Sequence, residues 1–293
     1  MYPIKNVDNW VQKEWVAVAG SKEKTPWLQN PENEKEIAMF KETIGEFTGE
    51  TWSEKVASEI GPIINIKTHK ADIGYHNGNY GSLVWKMVDE EVERLEEGGD
   101  IITGFVEYKD FDRTTLICKK GYYCFDMLYH VLSHFGFLEQ LFDMIIYDAL
   151  IGNTDRHQDN FGFILCHKDK KRRFAPLYDN ASSLGRELSE EGMISRLNNS
   201  QQFEAYINRA DTFIRWGWQT RRKTKHFDLI KELLLAYPDF VTKSINNVNL
   251  LSDSQLEYVI AQVPEIIMSE IQRKFVFRVI KTRKNRLLNM IGG

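Results

Sequence analysis

The chain has 293 residues, of which 42% are hydrophobic and 27% charged, and its formal net charge is −4. These values are typical of a globular protein with a sizeable core, and they exclude a global positive field that would attract nucleic acid or an anionic membrane. The sequence contains no long apolar span, no secretory signal and no Cys-x-x-Cys pair among Cys118, Cys124 and Cys166, so we expect a protein of the reducing cytoplasm.

The first elements are predicted to be strands around a polar loop. Residues 15–20 form an apolar run typical of a strand, and residues 21–25 continue as a loop. A loop that contains Gly20, with Lys22 or Lys24, can present backbone N–H groups and a cation to phosphate groups. We assign Gly20, Ser21 and Lys24 to such a phosphate loop, with a plain hairpin as the alternative.

Further strands and a helix follow in chain order. A strand over residues 36–41 ends at Lys41, and a helix is expected over residues 51–60. Two more strands are predicted over residues 63–66 and 81–88, joined through a turn rich in Gly and Asn. The acidic run from 89 to 97 is interpreted as a solvated linker or helix face.

The second part of the chain is predicted to be mostly helical. Two helical patterns between Tyr122 and Leu150, broken near Gly136, should form its core. Residues 186–203 form the longest stretch without a predicted element. The segment from 215 to 225 interleaves aromatic and basic residues, and we interpret it as a basic surface rather than a nucleic-acid site. An amphipathic helix is expected over residues 265–290.

The chemistry-bearing residues lie after the second of these helical patterns. Asp155 and Asn160 stand five residues apart in a polar loop, and Asp179 follows a short predicted β-hairpin. Phosphoryl transfer needs a carboxylate that deprotonates the attacking hydroxyl, together with oxygen ligands for magnesium, and protein kinases supply them with this spacing. The pattern therefore predicts Asp155 as the catalytic base and Asn160 and Asp179 as the magnesium ligands.

Three segments in the same order resemble the HipA-like serine/threonine kinase family. They are Val18 to Thr25, which resembles its phosphate-loop motif, Asn153 to Phe161, which resembles its catalytic loop, and Tyr178-Asp179, which resembles its metal-binding segment. The resemblance covers about residues 15 to 200. Because only about 15 residues precede the phosphate loop, the chain resembles the short members, which lack an extra N-terminal subdomain.

The resemblance implies a two-lobed, protein-kinase-like α+β fold, with a small β-rich lobe at 1–92 and a mostly helical lobe at 93–293. Lys41 resembles the nucleotide-binding lysine of the family. Its carboxylate partner is Glu54 by similarity to the family, whereas helical periodicity favours Glu59. The last strand of the small lobe should enter the hinge that binds adenine, which places Trp85 and Met87 there.

The implied function is transfer of the γ-phosphoryl group of ATP, with Mg²⁺, to a Ser or Thr hydroxyl of a protein substrate. Phosphorylation of a lipid or small-molecule alcohol, and nucleotide binding without turnover, are the alternatives. The family also implies a regulatory or antitoxin-like protein partner, as in toxin–antitoxin systems, whereas neither membrane nor direct nucleic-acid binding is expected.

The phosphate loop departs from the family at the residue that controls activity. Many members autophosphorylate a Ser that Ala17 replaces here, and Lys22 stands where a Gln is usual. Ser21, then Thr25, and Ser182 or Ser183 are the hydroxyls that could replace that switch. We expect either such a switch or, preferentially, restraint by a partner protein.

Overall fold

The computed structural model describes residues 1–13, 27–43 and 49–292. Within these ranges the first lobe contains a six-stranded sheet in the order β1-β5-β6-β4-β3-β2, in which only β1 and β5 run parallel. Its strands are β1 (Ile4–Asn6), β2 (Val11–Lys13), β3 (Trp27–Asn30), β4 (Asn33–Glu42), β5 (Ala71–His76) and β6 (Asn79–Trp85).

The register of β4 decides where Lys41 points. Ala38 and Phe40 pack into a small apolar cluster with Val7, Leu28 and Leu83 on one face of the sheet. Because successive side chains of a strand point to opposite faces, Lys41 lies on the other face. That face is the one covered by helix α1 (Glu50–Ile63).

Helix α1 belongs to the core of the second lobe as much as to the sheet. Trp52, Val56 and Ile60 are at most 2% exposed and are part of the large apolar core that continues into the helical lobe. Tyr147 donates a hydrogen bond from its hydroxyl to the Ala57 carbonyl (2.6 Å). The helix reaches Ile63, so the strand predicted over residues 63–66 is wrong, since the helix continues through Pro62 near its last turn.

The second lobe is mostly helical. Its helices are α2 (Gly98–Thr103), α3 (Phe125–His134), α4 (Leu138–Ile151), α5 (Glu190–Asn198), α6 (Ser200–Arg209), α7 (His226–Ala236), α8 (Pro238–Val248), α9 (Asp253–Ala261) and α10 (Glu270–Asn289). Helix α4 packs against α3, α7, α8 and α10, and almost all of it from Leu141 onward is buried. A helix that is apolar on all sides is expected at the centre of a bundle.

Short strands complete this lobe. They are β7 (Glu93–Glu97), β8 (Ile117–Cys118), β9 (Gly121–Tyr122), β10 (Gly162–Cys166), β11 (Arg172–Phe174), β12 (Asp211–Thr212) and β13 (Thr224–Lys225). Strand β10 pairs with both β7 and β11. The hairpin predicted between Asn160 and Asp179 is therefore present as β10 and β11. No helix among the described residues is long and apolar enough to span a membrane.

Two further sequence predictions differ from the structure. The acidic run contains strand β7, because arginines of β11 reach its carboxylates: Arg172 contacts Glu96 at 2.6 Å and Arg173 contacts Glu93 at 2.8 Å. The stretch from 186 to 203 is not structureless but contains α5 and the start of α6. The boundary between lobes at 92/93 stays a prediction.

Candidate active site

The catalytic loop begins where α4 ends. Gly152 closes the helix in the left-handed region (φ +70°), and its N–H group donates to the Asp148 carbonyl. This conformation is accessible to glycine without strain and is a common helix end. The chain then turns sharply into the segment that carries Asp155 and Asn160, directly after the most deeply buried helix of the lobe.

The guanidinium group of Arg156 holds the loop together. It is fully buried and donates to the Asp148 carboxylate (2.9 Å), to the Asn160 and Tyr178 carbonyls (2.6 Å each) and to Asn180 Oδ1 (2.6 Å). Burial raises the pKa of Asp148, and the charge of Arg156 opposes that rise. A single buried ion pair thus fixes the catalytic loop and the segment around Asp179 to helix α4.

Asp155 is placed by backbone contacts on both sides. Its N–H group donates to Asn153 Oδ1 (3.0 Å), and its carbonyl accepts from Asn160 Nδ2 (2.7 Å). The side chain of Asp155 is half-buried, whereas Asn160 is only 2% exposed. Because the amide nitrogen of Asn160 is used by the loop, its Oδ1 atom is the one left to act as a metal ligand.

Asp179 adopts a backbone conformation that is unusual for a side chain other than glycine. Its φ angle is +58°, and its Oδ1 atom lies 2.7 Å from the Lys41 ammonium group. Asp is one of the side chains that tolerate this left-handed conformation. The contact brings the lysine of the sheet lobe and the second predicted metal ligand together.

Helix α1 supplies the two glutamates that sequence reasoning left open. Glu59 is partly exposed and pairs with Lys55 (2.5 Å), which also binds Asp72 (3.0 Å). Glu54 is 1% exposed and faces the interior near Tyr147. Burial raises the pKa of Tyr147, and the charge of Glu54 raises it further. The interior position supports Glu54 as the carboxylate beside the nucleotide lysine, and this assignment stays a prediction.

The hinge prediction falls at the end of β6. The indole of Trp85 packs edge-on against Trp10 and donates to Asp72 Oδ2 (2.9 Å), so its ring faces the outer side of the sheet. The indole of Trp85 is therefore not directed to the Lys41 side of the sheet, and its backbone N–H group donates to the Lys70 carbonyl (3.4 Å). Met87 follows in a half-buried segment without regular structure.

Comparison with known proteins decides the family. The sequence pattern of the HipA-like C-terminal domain matches residues 16–239, which is more than half of the chain. The chain belongs to this family. The family prediction made from three short motifs is confirmed.

Individual members of the family match at lower identity. The Serine/threonine-protein kinase CtkA of Helicobacter pylori is 25% identical over 156 residues, which are 50% of this chain and 44% of that protein. The match thus spans less than half the length of that relative.

Solved structures show the fold. The crystal structure of a Helicobacter pylori proinflammatory kinase CtkA superposes with a TM-score of 0.83 at 18% identity, covering 99% of this chain and 97% of that one. HipA of Shewanella oneidensis MR-1, solved with HipB and operator DNA, gives a TM-score of 0.57 at 13% identity, over 100% and 68% of the two chains. The predicted two-lobed α+β fold is confirmed.

The predicted phosphate loop lies outside the described residues. This applies to Gly20, Ser21 and Lys24, together with Ala17, Lys22 and Thr25. Their assignment therefore rests on the motif alone.

Sequence reasoning missed the buried residues that hold the candidate site in place. Asp148 sits inside an apolar helix, which is a signal for a paired buried charge, and Arg156 was within the quoted motif but received no role. His69, just before β5, is buried beside Lys41 and hydrogen-bonded to the Trp85 backbone, and burial lowers its pKa to about 4. Nothing in its local sequence indicated this position.

Arg113 is a second support of the catalytic loop that was missed. Its guanidinium group contacts three carboxylates, Asp159 at 2.5 Å, Glu97 at 2.6 Å and Asp100 at 2.7 Å. Asp159 directly precedes Asn160, so this cluster ties the loop to β7 and α2. Partners 46 residues apart cannot be recognised from sequence spacing.

Proposed function

We propose that this protein is an ATP-dependent serine/threonine protein kinase of the HipA-like type. The observation that carries the proposal is the convergence of Lys41, Asp155, Asn160 and Asp179 around one cleft, joined by the Lys41–Asp179 contact and the buried Arg156. The name of the Helicobacter pylori relative supports the same activity.

The geometry suits nucleotide phosphates and magnesium. Mg²⁺ prefers oxygen ligands, and Asn160 and Asp179 offer an amide oxygen and a carboxylate at the same cleft. No group of three or more His, Cys, Asp and Glu side chains among the described residues could hold a metal alone, which is consistent with an ion that takes its other ligands from phosphates and water. When bound, the ion would neutralise charge on the phosphates.

Lys41 and Asp155 would then have different roles in the reaction. Lys41 binds the nucleotide phosphates from the sheet side, and Asp155 orients the acceptor hydroxyl and accepts its proton as the oxygen attacks the γ-phosphorus. The bond to the β-phosphate oxygen breaks, leaving ADP and a phosphomonoester. The bonds from Asn153 and Asn160 keep the Asp155 backbone in place during this transfer.

Partner, compartment and regulation extend the proposal. We place the protein in the cytoplasm, where ATP is available and where the free thiols of Cys118 and Cys124, both buried, remain reduced. A regulatory protein partner is supported by the HipA–HipB complex among the structural neighbours. Ser183 is buried against Ser53, so Ser182 is the more accessible hydroxyl after Asp179.

Incubation with γ-labelled ATP and magnesium, alone and with a cell lysate, tests the function. We expect label on protein that is recovered as phosphoserine or phosphothreonine after acid hydrolysis. Label found only in lipid or in small molecules would instead support the alcohol-kinase alternative. Binding of ATP without label transfer would support the scaffold.

A further inference from the structure

The last turn of helix α4 leads into the catalytic loop, and one of its carbonyl groups has lost its helical donor. The N–H group of Asn153 would continue the helical pattern at the Ala149 carbonyl, but it donates to the Asp148 carbonyl instead (2.9 Å). Gly152 donates to the same Asp148 carbonyl. The terminal carbonyls of a helix need donors from outside the helix, so the Ala149 carbonyl depends on another part of the chain.

Arg283, on helix α10, supplies that donor. Its Nε atom donates to the Ala149 carbonyl, and its Nη1 atom donates to the Ile207 carbonyl (3.1 Å). A Cβ atom placed on Gly152 would lie 3.4 Å from Nε and 3.5 Å from Cζ of Arg283. The side chain of Arg283 is only 1% exposed. The guanidinium group is therefore packed directly against the turn that opens the catalytic loop.

The charge of Arg283 is balanced by helix ends rather than by a carboxylate. Ala149 lies in the last turn of α4 and Ile207 in the last turn of α6, and the C-terminus of a helix carries roughly −0.5 of an elementary charge. No carboxylate among the described residues pairs with Arg283, whereas Arg286 of the same helix pairs with Glu204. Burial lowers the pKa of Arg283 to about 10, which leaves the group protonated at neutral pH.

These contacts reach Asp155 through a single residue. Asn153 directly follows Gly152, and its Oδ1 atom accepts from the Asp155 N–H group (3.0 Å). The position of Asp155 therefore depends on where α4 ends and on how the chain turns at Gly152. Arg156 fixes the loop after this turn, whereas Arg283 contacts the turn itself.

We infer that Arg283 is a positioning residue for phosphoryl transfer, which fixes the end of α4 and the Gly152 turn and thereby directs the Asp155 carboxylate to the acceptor hydroxyl. This inference rests on the proposed kinase function. Arg283 lies beyond residue 239, where the match to the family pattern ends. The C-terminal helix thus takes part in arranging the catalytic loop, in addition to packing against α4.

Arg278 provides a matched control for substitutions of Arg283. Both arginines lie on α10 and over a phenylalanine ring, Arg283 over Phe227 at 4.9 Å and Arg278 over Phe203 at 4.1 Å. Arg278 also donates to a carbonyl in the last turn of a helix, that of Leu197 in α5 (2.7 Å). Helix α5 does not lead into the catalytic loop, so the two sites differ in the property under test.

Kinetics separate positioning from a contribution to stability alone. In Arg283→Met we expect kcat per folded molecule to fall at least tenfold, because a displacement of about 1 Å can cost roughly 10²-fold in rate. KM for ATP should stay within twofold of wild type. Arg283→Lys should recover part of the loss, since it keeps the charge but not the fork of donors. Arg278→Met and Arg278→Lys should keep the wild-type kcat.

Amide hydrogen exchange tests the same contact without turnover. In Arg283→Met and Arg283→Lys we expect the amides of residues 152–155 to exchange at least tenfold faster than in the wild-type protein. Amides of the six-stranded sheet should keep their wild-type rates. The Arg278 variants should leave the exchange of residues 152–155 unchanged.

The outcomes separate this inference from the proposed function. A wild-type kcat in folded Arg283→Met, an equal loss of kcat in the Arg278 variants, or unchanged exchange at residues 152–155 overturns the inference and leaves the kinase proposal intact. Faster exchange at these amides in a protein that transfers no phosphate retains the anchoring of the loop and overturns the kinase proposal. If Arg283→Met does not fold, Arg283→Lys, which keeps the buried charge, is compared with Arg278→Lys in both measurements.

Discussion

Asp155 has the position expected of a catalytic base, since its backbone is fixed at both ends and its carboxylate is half-buried at the cleft. In Asp155→Asn we expect phosphate transfer to fall by roughly 10²- to 10⁴-fold, because general-base catalysis contributes about that much. ATP affinity should stay within a few-fold of wild type, since Asp155 is not assigned to the nucleotide. Rates of label transfer and ATP titrations check both, and transfer at the wild-type rate would exclude Asp155 as the base.

Asp179 is proposed to bind the magnesium ion, so its loss should affect nucleotide binding rather than the attack of the hydroxyl. In Asp179→Ala we expect ATP to bind equally well with and without Mg²⁺, because the carboxylate ligand of the ion is lost. The comparison is a titration of ATP at zero and millimolar magnesium, in wild type and variant. If the wild-type protein itself showed no magnesium dependence, the assignment of Asp179 as a metal ligand would be wrong.

The segment after Asp179 is anchored to helix α1 and to the residue before it. Arg186 forms an ion pair with Glu50 and donates to Ser182 Oγ (3.1 Å), and its carbonyl accepts from the Gly49 N–H group (2.8 Å). Ser53 Oγ donates to the Ser183 carbonyl (3.0 Å). The segment that follows the metal ligand is thus held at one edge of the cleft.

Removing this anchor should affect the acceptor rather than the nucleotide. In Arg186→Gln we expect kcat/KM for a peptide acceptor to fall several-fold while KM for ATP is unchanged, because Arg186 holds Ser182, whose carbonyl accepts from the N–H group of Thr154 directly before Asp155 (3.1 Å). Lys274→Gln, which removes an exposed ion pair with Glu270 in α10, is the control and should change neither. An Arg186→Gln effect confined to KM for ATP would contradict this role.

Most elements with a local sequence signal were predicted, whereas an element that is fixed by contacts distant in sequence was not. Strand β4, helices α3 and α4 and the hairpin β10–β11 have clear periodicity or turn signals, and they were predicted correctly. Helix α5 was missed although Ser189 caps it in a recognisable way, its Oγ accepting from the Gly192 N–H group. Strand β7 could not be predicted, because its carboxylates are neutralised by arginines about 80 residues away.

The residues of the candidate site were likewise predicted only where a local motif marks them. The motif spacing pointed to Asp155, Asn160 and Asp179, and the structure brings the segments of all three together. The contacts of Arg113 and His69 are long-range, and no local pattern distinguishes such residues from exposed ones. Residues of the phosphate loop remain assigned by sequence alone.

Two buried histidines should make the free energy of unfolding depend on pH. Burial lowers the pKa of His226 to about 3 and that of His69 to about 4. In the unfolded chain both titrate near 6.5, so the unfolded state binds more protons below that pH. The stability that the two neutral histidines contribute is therefore fully present above about pH 6.5, and it is lost as the pH falls towards their folded-state pKa values.

The contribution of His226 can be isolated. Between pH 7 and pH 4.5 the wild-type free energy of unfolding should fall by about 2 to 3 kcal/mol more than that of His226→Leu, which has no group to protonate. Urea unfolding at the two pH values measures this difference. An identical pH dependence in both proteins would show that His226 is not held neutral by burial.

The shared core of α1 restricts how the protein can be switched. A mechanism that swings this helix outward would expose Trp52, Val56 and Ile60, at a cost of roughly 5–9 kcal/mol, which is comparable to the stability of an entire domain. No single phosphate or weak ligand supplies that much free energy. Inhibition therefore has to act elsewhere, and a protein inhibitor that covers the acceptor side of Asp155 would block the reaction without deforming the enzyme.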